Sequence, residues 1–65
     1  MHESILRLPK VMVRTGLSRS TIYARMNANP PTFPAPVNLG ERAVGWVESE
    51  VEEWIQARIE SRAAA

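Results

Sequence analysis

The stretch from residue 14 to residue 23 constrains the fold of this 65-residue chain more than any other part of it. Gly16 can adopt the left-handed backbone conformation that ends a helix. Ser18 is a residue type favoured at a helix N-cap, and the apolar Leu17 between them can anchor a turn in a core. The pattern predicts one short helix, a tight turn and a second helix, which is the arrangement of a helix-turn-helix.

The second helix is expected to run from about Arg19 to residue 27 or 28, with Ile22 and Met26 facing the core. Its outer face is left with Arg19, Ser20, Tyr23 and Arg25. In a helix-turn-helix, the first residues of the second helix point toward the bases of the DNA major groove. We therefore predict a DNA-binding set in this segment that consists of Ser18, Arg19, Ser20, Thr21, Tyr23 and Arg25.

The expected roles within this set differ. Arg19 and Ser20 can reach base edges, and arginine is suited to O6 and N7 of guanine. Thr21 or Tyr23 can instead bond a phosphate, whereas the hydroxyl of Ser18 could be consumed as an N-cap. The alternative is an ordinary solvated helix face. Serine and threonine lower helix propensity, so a purely structural helix of this length would be better served by Ala, Glu or Lys.

The segment before the turn is expected to contain a short extended piece, residues 5–7, and a first helix from Pro9 to Arg14 or Thr15. Leu8, Val11 and Met12 supply its apolar face at helical spacing. Three basic residues flank this helix and are predicted to contact phosphates, or else are bystander charges: Arg7, Lys10 and Arg14.

The segment after the second helix begins with Asn29-Pro30-Pro31, which ends that helix. Phe33 is expected to anchor the proline-rich stretch that follows. Alternating apolar residues over 37–39 and 43–47 predict a β-hairpin, with Gly40 in or beside its turn. Arg42 near the tip is expected to reach the DNA minor groove or backbone, as a wing does. The alternative is an inert turn residue paired with Glu41.

The last helix is expected to run from the N-cap Ser49 to about residue 62, with Ser49 and Glu52 in a capping box. Trp46 on the hairpin and Trp54 on the helix are expected to pack in the core, together or around Phe33, and Arg58 to lie over an aromatic face. The glutamates at 50, 52 and 53 are interpreted as helix N-terminal charge and not as a catalytic or metal-binding set.

Composition excludes several classes of function. The chain has no cysteine and one histidine, so neither a disulfide frame nor a zinc site is expected. No nucleophile–base pair, phosphate loop or apolar run of bilayer length is present, so we expect no enzyme, cofactor, metal or membrane association. Six basic and two acidic residues lie in residues 1–46, against two basic and five acidic in 47–65. A basic front and an acidic back suit a protein that presents one face to a polyanion.

Helix-turn-helix, hairpin and helix in succession form a winged helix-turn-helix, a mainly α fold with a small β-hairpin, and the details resemble one family. The motifs occur in this order: Arg7-Leu8-Pro9, residues 14–23, residues 33–40, residues 42–46, and Glu48-Ser49-Glu50-Val51-Glu52-Glu53-Trp54. This order looks like the AlpA family of small prophage regulators, which is related in fold to excisionases and MerR-type domains. The resemblance covers about residues 5–62 of a single expected domain, 1–65.

The resemblance implies a sequence-specific regulator that binds double-stranded DNA in the cytoplasm of a bacterium, at the nucleoid. One alternative is an excisionase that bends and coats attachment-site DNA. A further alternative is a protein-interaction module that acts through the acidic last helix. The implied protein partners are a second copy, as a dimer or a cooperative array on DNA, and an integrase.

Overall fold

Six secondary-structure elements follow one another in the computed structural model, which describes residues 4–64. They are β1 (Ile5–Leu6), α1 (Leu8–Thr15), α2 (Arg19–Met26), β2 (Val37–Gly40), β3 (Ala43–Val47) and α3 (Glu48–Ala64). This succession confirms the predicted fold class. The two ends of the expected 1–65 domain, residues 1–3 and residue 65, lie outside the described residues.

The hairpin forms as predicted, but it is part of a larger sheet. The strand order is β1-β3-β2, with both pairs antiparallel. Leu6 lies opposite Trp46, and the backbone N–H of Glu48 extends the ladder by donating to the carbonyl of Ser4 at 2.8 Å. The extended piece at residues 5–7 was expected from the sequence, whereas its pairing with the hairpin was not. This third strand ties the start of the chain to the wing.

The core takes one side chain from almost every element. Its buried members are Leu6, Val11, Ile22, Phe33, Trp46 and Val51. A ring of partly buried side chains packs around them: Leu8, Met12, Leu17, Met26, Trp54 and Ile55. The apolar residues that helical spacing assigned to the core therefore lie in it or against it. In α2, Ile22 is the buried residue that attaches the helix to the rest of the domain.

The two tryptophans hold the proline-rich connection between α2 and β2. Trp46 is wholly buried and donates its indole N–H to the carbonyl of Pro34 at 3.1 Å. Trp54 is half-buried and donates to the carbonyl of Thr32 at 2.7 Å. The rings of Phe33 and Trp54 meet edge to face, with centroids 5.0 Å apart. The expected packing around Phe33 is thus found for Trp54.

Helix α3 extends further in both directions than the sequence indicated. It begins at Glu48 and not at Ser49, directly after β3, and ends at Ala64 and not near residue 62. The apolar stripe of α3 continues beyond the part of the helix that packs on the core. Residues 56–62 are exposed, and Ile59 retains 48% of its accessible surface. No helix within residues 4–64 is long and apolar enough to cross a membrane.

Candidate nucleic-acid interface

The turn between α1 and α2 has the geometry that the sequence predicted. Gly16 ends α1 in the left-handed conformation, with φ of 74°, and donates its backbone N–H to Met12 at 2.8 Å. Ser18 is the N-cap of α2, and its hydroxyl accepts the backbone N–H of Thr21 at 3.2 Å. Between them, the N–H of Leu17 donates to the hydroxyl of Thr15. Local hydrogen bonds thus fix where α2 begins.

The first turn of α2 presents polar side chains to solvent. Arg19 and Ser20 are exposed, and Tyr23 is half-buried. The guanidinium carbon of Arg19 lies 5.9 Å from the centre of the Tyr23 ring, the neighbour one helical turn on. This contact limits the conformations of a long side chain before any ligand arrives. The predicted base-reading residues are therefore on an accessible surface.

Ser18 and Thr21 are committed within the protein. Besides accepting the N–H of Thr21, the Ser18 hydroxyl donates to Oγ1 of Thr21 at 2.8 Å. The Ser20 hydroxyl lies 3.4 Å from Ser18 Oγ at the edge of this cluster. The hydroxyl of Ser18 is thus used as an N-cap, as the sequence allowed. Contact of Ser18 or Thr21 with DNA stays a prediction.

Arg25 does not share the exposed face on which the sequence placed it. It is half-buried at the other end of α2, and its guanidinium carbon lies 5.9 Å from the centre of the Trp54 ring. Its Nε is buried and has no hydrogen-bond partner among the described residues. Arg25 therefore packs within the protein, on Trp54, and its predicted contact with DNA stays a prediction.

The three basic residues around α1 also fall into two kinds. Arg14 bridges α1 to the start of α3, with Nη2 2.9 Å from Oε2 of Glu48 and Nη1 bonded to Glu52. Glu52, which was expected in a capping box with Ser49, accepts a hydrogen bond from Arg14 through its carboxylate. Arg7 precedes α1 and Lys10 lies in its first turn, both exposed. The predicted phosphate contacts of all three stay untested.

The hairpin tip consists of Glu41 and Arg42 between paired Gly40 and Ala43. Arg42 is exposed and has a φ of 58°, in the left-handed region that favours glycine or asparagine. Within residues 4–64 the ion pairs are those of Arg14, so the alternative of an Arg42–Glu41 pair is not observed. The charge at the tip is available to a ligand.

An α1–turn–α2 unit, a three-stranded sheet whose hairpin tip carries Arg42, and a closing helix together define a winged helix-turn-helix domain. The family model described as the prophage CP4-57 regulatory protein (AlpA) matches residues 4–59. The chain belongs to this AlpA family of prophage regulatory proteins, as the resemblance implied.

Two relatives show how far the similarity extends. The DNA-binding transcriptional activator AlpA of Escherichia coli (strain K12) is 47% identical over 83% of this chain and 83% of its own length. An uncharacterised protein, ORF88, of Enterobacteria phage P4 is also 47% identical, over 94% of this chain and 67% of its own length.

Two features of the site were missed at the level of sequence. One is the packing of Arg25 on Trp54, and the other is the bridge from Arg14 to Glu48 and Glu52. Both join residues that are distant in the chain, and helical spacing carries no signal of either. Arg58 was expected to lie over an aromatic face, and its guanidinium carbon lies 5.7 Å from the centre of the Trp54 ring, one turn away on the same helix.

Proposed function

We propose that this chain is a prophage-type transcriptional regulator that binds double-stranded DNA through the start of α2, assisted by the hairpin. The observation that carries the proposal is the exposed pair Arg19 and Ser20 at a helix start that Gly16 and Ser18 fix in place. An arginine held at the N-terminus of a helix can offer two donors to one guanine in the major groove.

The remaining side chains take supporting roles in this proposal. Tyr23 restrains Arg19 by lying against its guanidinium, and in this proposal its hydroxyl bonds a backbone phosphate. Thr21 stabilises the N-cap. Arg42, Arg7 and Lys10 are exposed and contact phosphates or the minor groove, which adds affinity but little base discrimination.

We favour control of transcription over excision of a prophage because the E. coli relative is named a transcriptional activator. An activator of one promoter needs a single well-defined site. An excisionase that coats attachment-site DNA would protect a long continuous segment and bend it. Footprinting across the DNA beside the gene distinguishes these outcomes by the length of the protected region.

Binding itself is tested by fluorescence anisotropy with labelled duplexes from the DNA that flanks the gene of this protein. We expect saturable binding that survives an excess of random duplex and weakens as salt rises, because phosphate contacts release counterions. Equal affinity for flanking and random duplexes at every salt concentration would contradict sequence-specific regulation.

A second, compatible function is suggested by the free end of α3. Ile59 is an exposed apolar side chain beside the exposed Glu60 on this helix. Such a helix end can contact a second copy of the chain on adjacent DNA or an integrase. Sedimentation velocity with and without a two-site duplex tests self-association, and Ile59→Lys is expected to abolish it if α3 is the contact.

A further inference from the structure

We infer that Arg25 is a positioning residue that fixes the orientation of α2 by packing on Trp54 of α3, and that it does not contact DNA. The inference rests on the proposed function, since orientation matters only if α2 reads DNA. It reassigns an arginine that sequence reasoning had placed among the DNA contacts.

A closed set of contacts joins the end of α2 to α3. The guanidinium of Arg25 lies over the Trp54 ring, 5.9 Å from its centre. The backbone carbonyl of Arg25 accepts the N–H of Thr32 at 2.9 Å, and the carbonyl of Thr32 accepts the indole N–H of Trp54 at 2.7 Å. Arg25 is therefore connected to Trp54 twice, directly through its guanidinium and indirectly through its backbone carbonyl and Thr32.

The rest of α2 leaves its tilt weakly determined. The helix has eight residues, and Ile22 is the one that is wholly buried. Leu17 before the helix and Met26 at its end also pack against the core, but each is only partly buried, so Ile22 is the main point about which this short helix can tilt. Arg19 and Arg25 lie three residues on either side of Ile22, which is about 4.5 Å along the axis in each direction. A displacement at Arg25 is therefore passed to Arg19 with about equal size and opposite sign.

The placement of Arg25 around the helix also separates it from the proposed reading face. Six residues at 100° each put Arg25 about 120° from Arg19 around the axis. The buried Nε of Arg25 lacks an acceptor, which costs free energy that an apolar side chain of similar length would avoid. What neither an apolar residue nor lysine can supply is a flat cation that stacks on the electron-rich face of the indole.

The test compares two conservative substitutions on the same ring. Arg25→Lys and Arg58→Lys each keep the positive charge and lose the flat guanidinium that stacks on Trp54. Of these two arginines, Arg25 lies on α2 and Arg58 lies on α3 with the ring itself, so Arg58→Lys is the matched control. Affinities for the specific and a random duplex are measured by anisotropy over a range of salt concentrations.

We expect Arg25→Lys to weaken specific binding about fivefold, the ratio that corresponds to ~1 kcal/mol for one such contact. Its affinity for random DNA and its salt slope should not change, and Arg58→Lys should match the wild type. If Arg25 instead contacted a phosphate directly, its positive charge and not its flat shape would decide the affinity. Arg25→Lys would then keep its affinity, while Arg25→Gln would weaken specific and random binding alike and reduce the salt slope by about 0.9.

A measurement on the free protein separates this inference from the proposed function. The indole N–H resonance of Trp54, assigned by its loss in Trp54→Phe, should shift in Arg25→Lys while that of Trp46 stays in place. A Trp54 resonance that does not respond overturns the positioning contact, even if the wild type binds DNA. A wild type that binds no DNA overturns the proposed function, even if the resonance shifts.

Discussion

The two tryptophans allow a matched test of what holds this small domain together. Both donate an indole N–H to a carbonyl of the same proline-rich connection, Trp46 to Pro34 and Trp54 to Thr32. They differ in burial, since Trp46 is wholly buried and Trp54 is half-buried. Trp46→Phe and Trp54→Phe therefore make the same chemical change in two environments.

The expected cost follows from that difference. Trp46→Phe leaves the Pro34 carbonyl without its donor in a part-buried position, about 1–3 kcal/mol, and removes packed atoms of a wholly buried ring, about 1–2 kcal/mol. We expect a total of about 2–5 kcal/mol. At the half-buried Trp54, water can bond the Thr32 carbonyl in place of the lost indole N–H and can occupy the space left by the smaller ring. Trp54→Phe should therefore lower the free energy of unfolding by only about 1 kcal/mol.

Thermal melts followed by far-ultraviolet circular dichroism measure both costs. In a domain of this size each kcal/mol lowers the melting temperature by roughly 4–8 °C. Trp46→Phe should therefore lower it by roughly 8–40 °C and remove most of the stability such a small core supplies. Equal shifts for the two variants, or a larger one for Trp54→Phe, would refute the ranking by burial.

Three further substitutions test the turn, the sheet and the hairpin tip. Gly16→Ala should lower the free energy of unfolding by about 1–2 kcal/mol, measured by chemical denaturation. The whole cost comes from the left-handed backbone, because a Cβ at this position meets nothing within 4 Å. Gly45→Ala should destabilise the fold by about 1–3 kcal/mol, because a Cβ at this position would overlap Cγ2 of Ile5 on β1. A melt unchanged from wild type would argue against the β1–β3 pairing. Arg42→Gly and Arg42→Ala should weaken DNA binding equally, with a salt slope smaller by about 0.9, while only the glycine variant gains stability at φ 58°.

Local chemistry was enough to predict most of the fold. The left-handed Gly16 and the capping Ser18 act on their immediate neighbours, so their positions could be derived from residue type. The alternation of residues 43–47 likewise located the strand that carries Trp46. The sequence could not rank the two tryptophans, because their burial depends on how much of the chain covers each ring.

What could not be predicted depends on contacts between distant segments. Helical spacing leaves an arginine such as Arg25 outside the apolar stripe, and only the path of the following loop brings Trp54 beneath it. The start of α3 at Glu48 depends on the carbonyl of Ser4, more than forty residues earlier, which accepts the Glu48 N–H. Arg14 was predicted to contact phosphates or to be a bystander charge. Its carboxylate partners lie on α3, and the sequence does not show that α3 packs beside α1.

The most direct test of DNA reading by α2 is the affinity of Arg19→Ala for its specific duplex, with Arg62→Ala as the control. Both variants remove one exposed arginine, from the start of α2 and from the end of α3. We expect Arg19→Ala to lose ~1–3 kcal/mol of specific binding, about 5- to 150-fold, with an unchanged circular dichroism spectrum, and Arg62→Ala to stay close to wild type. Equal affinities of Arg19→Ala and wild type for both specific and random DNA would contradict the account.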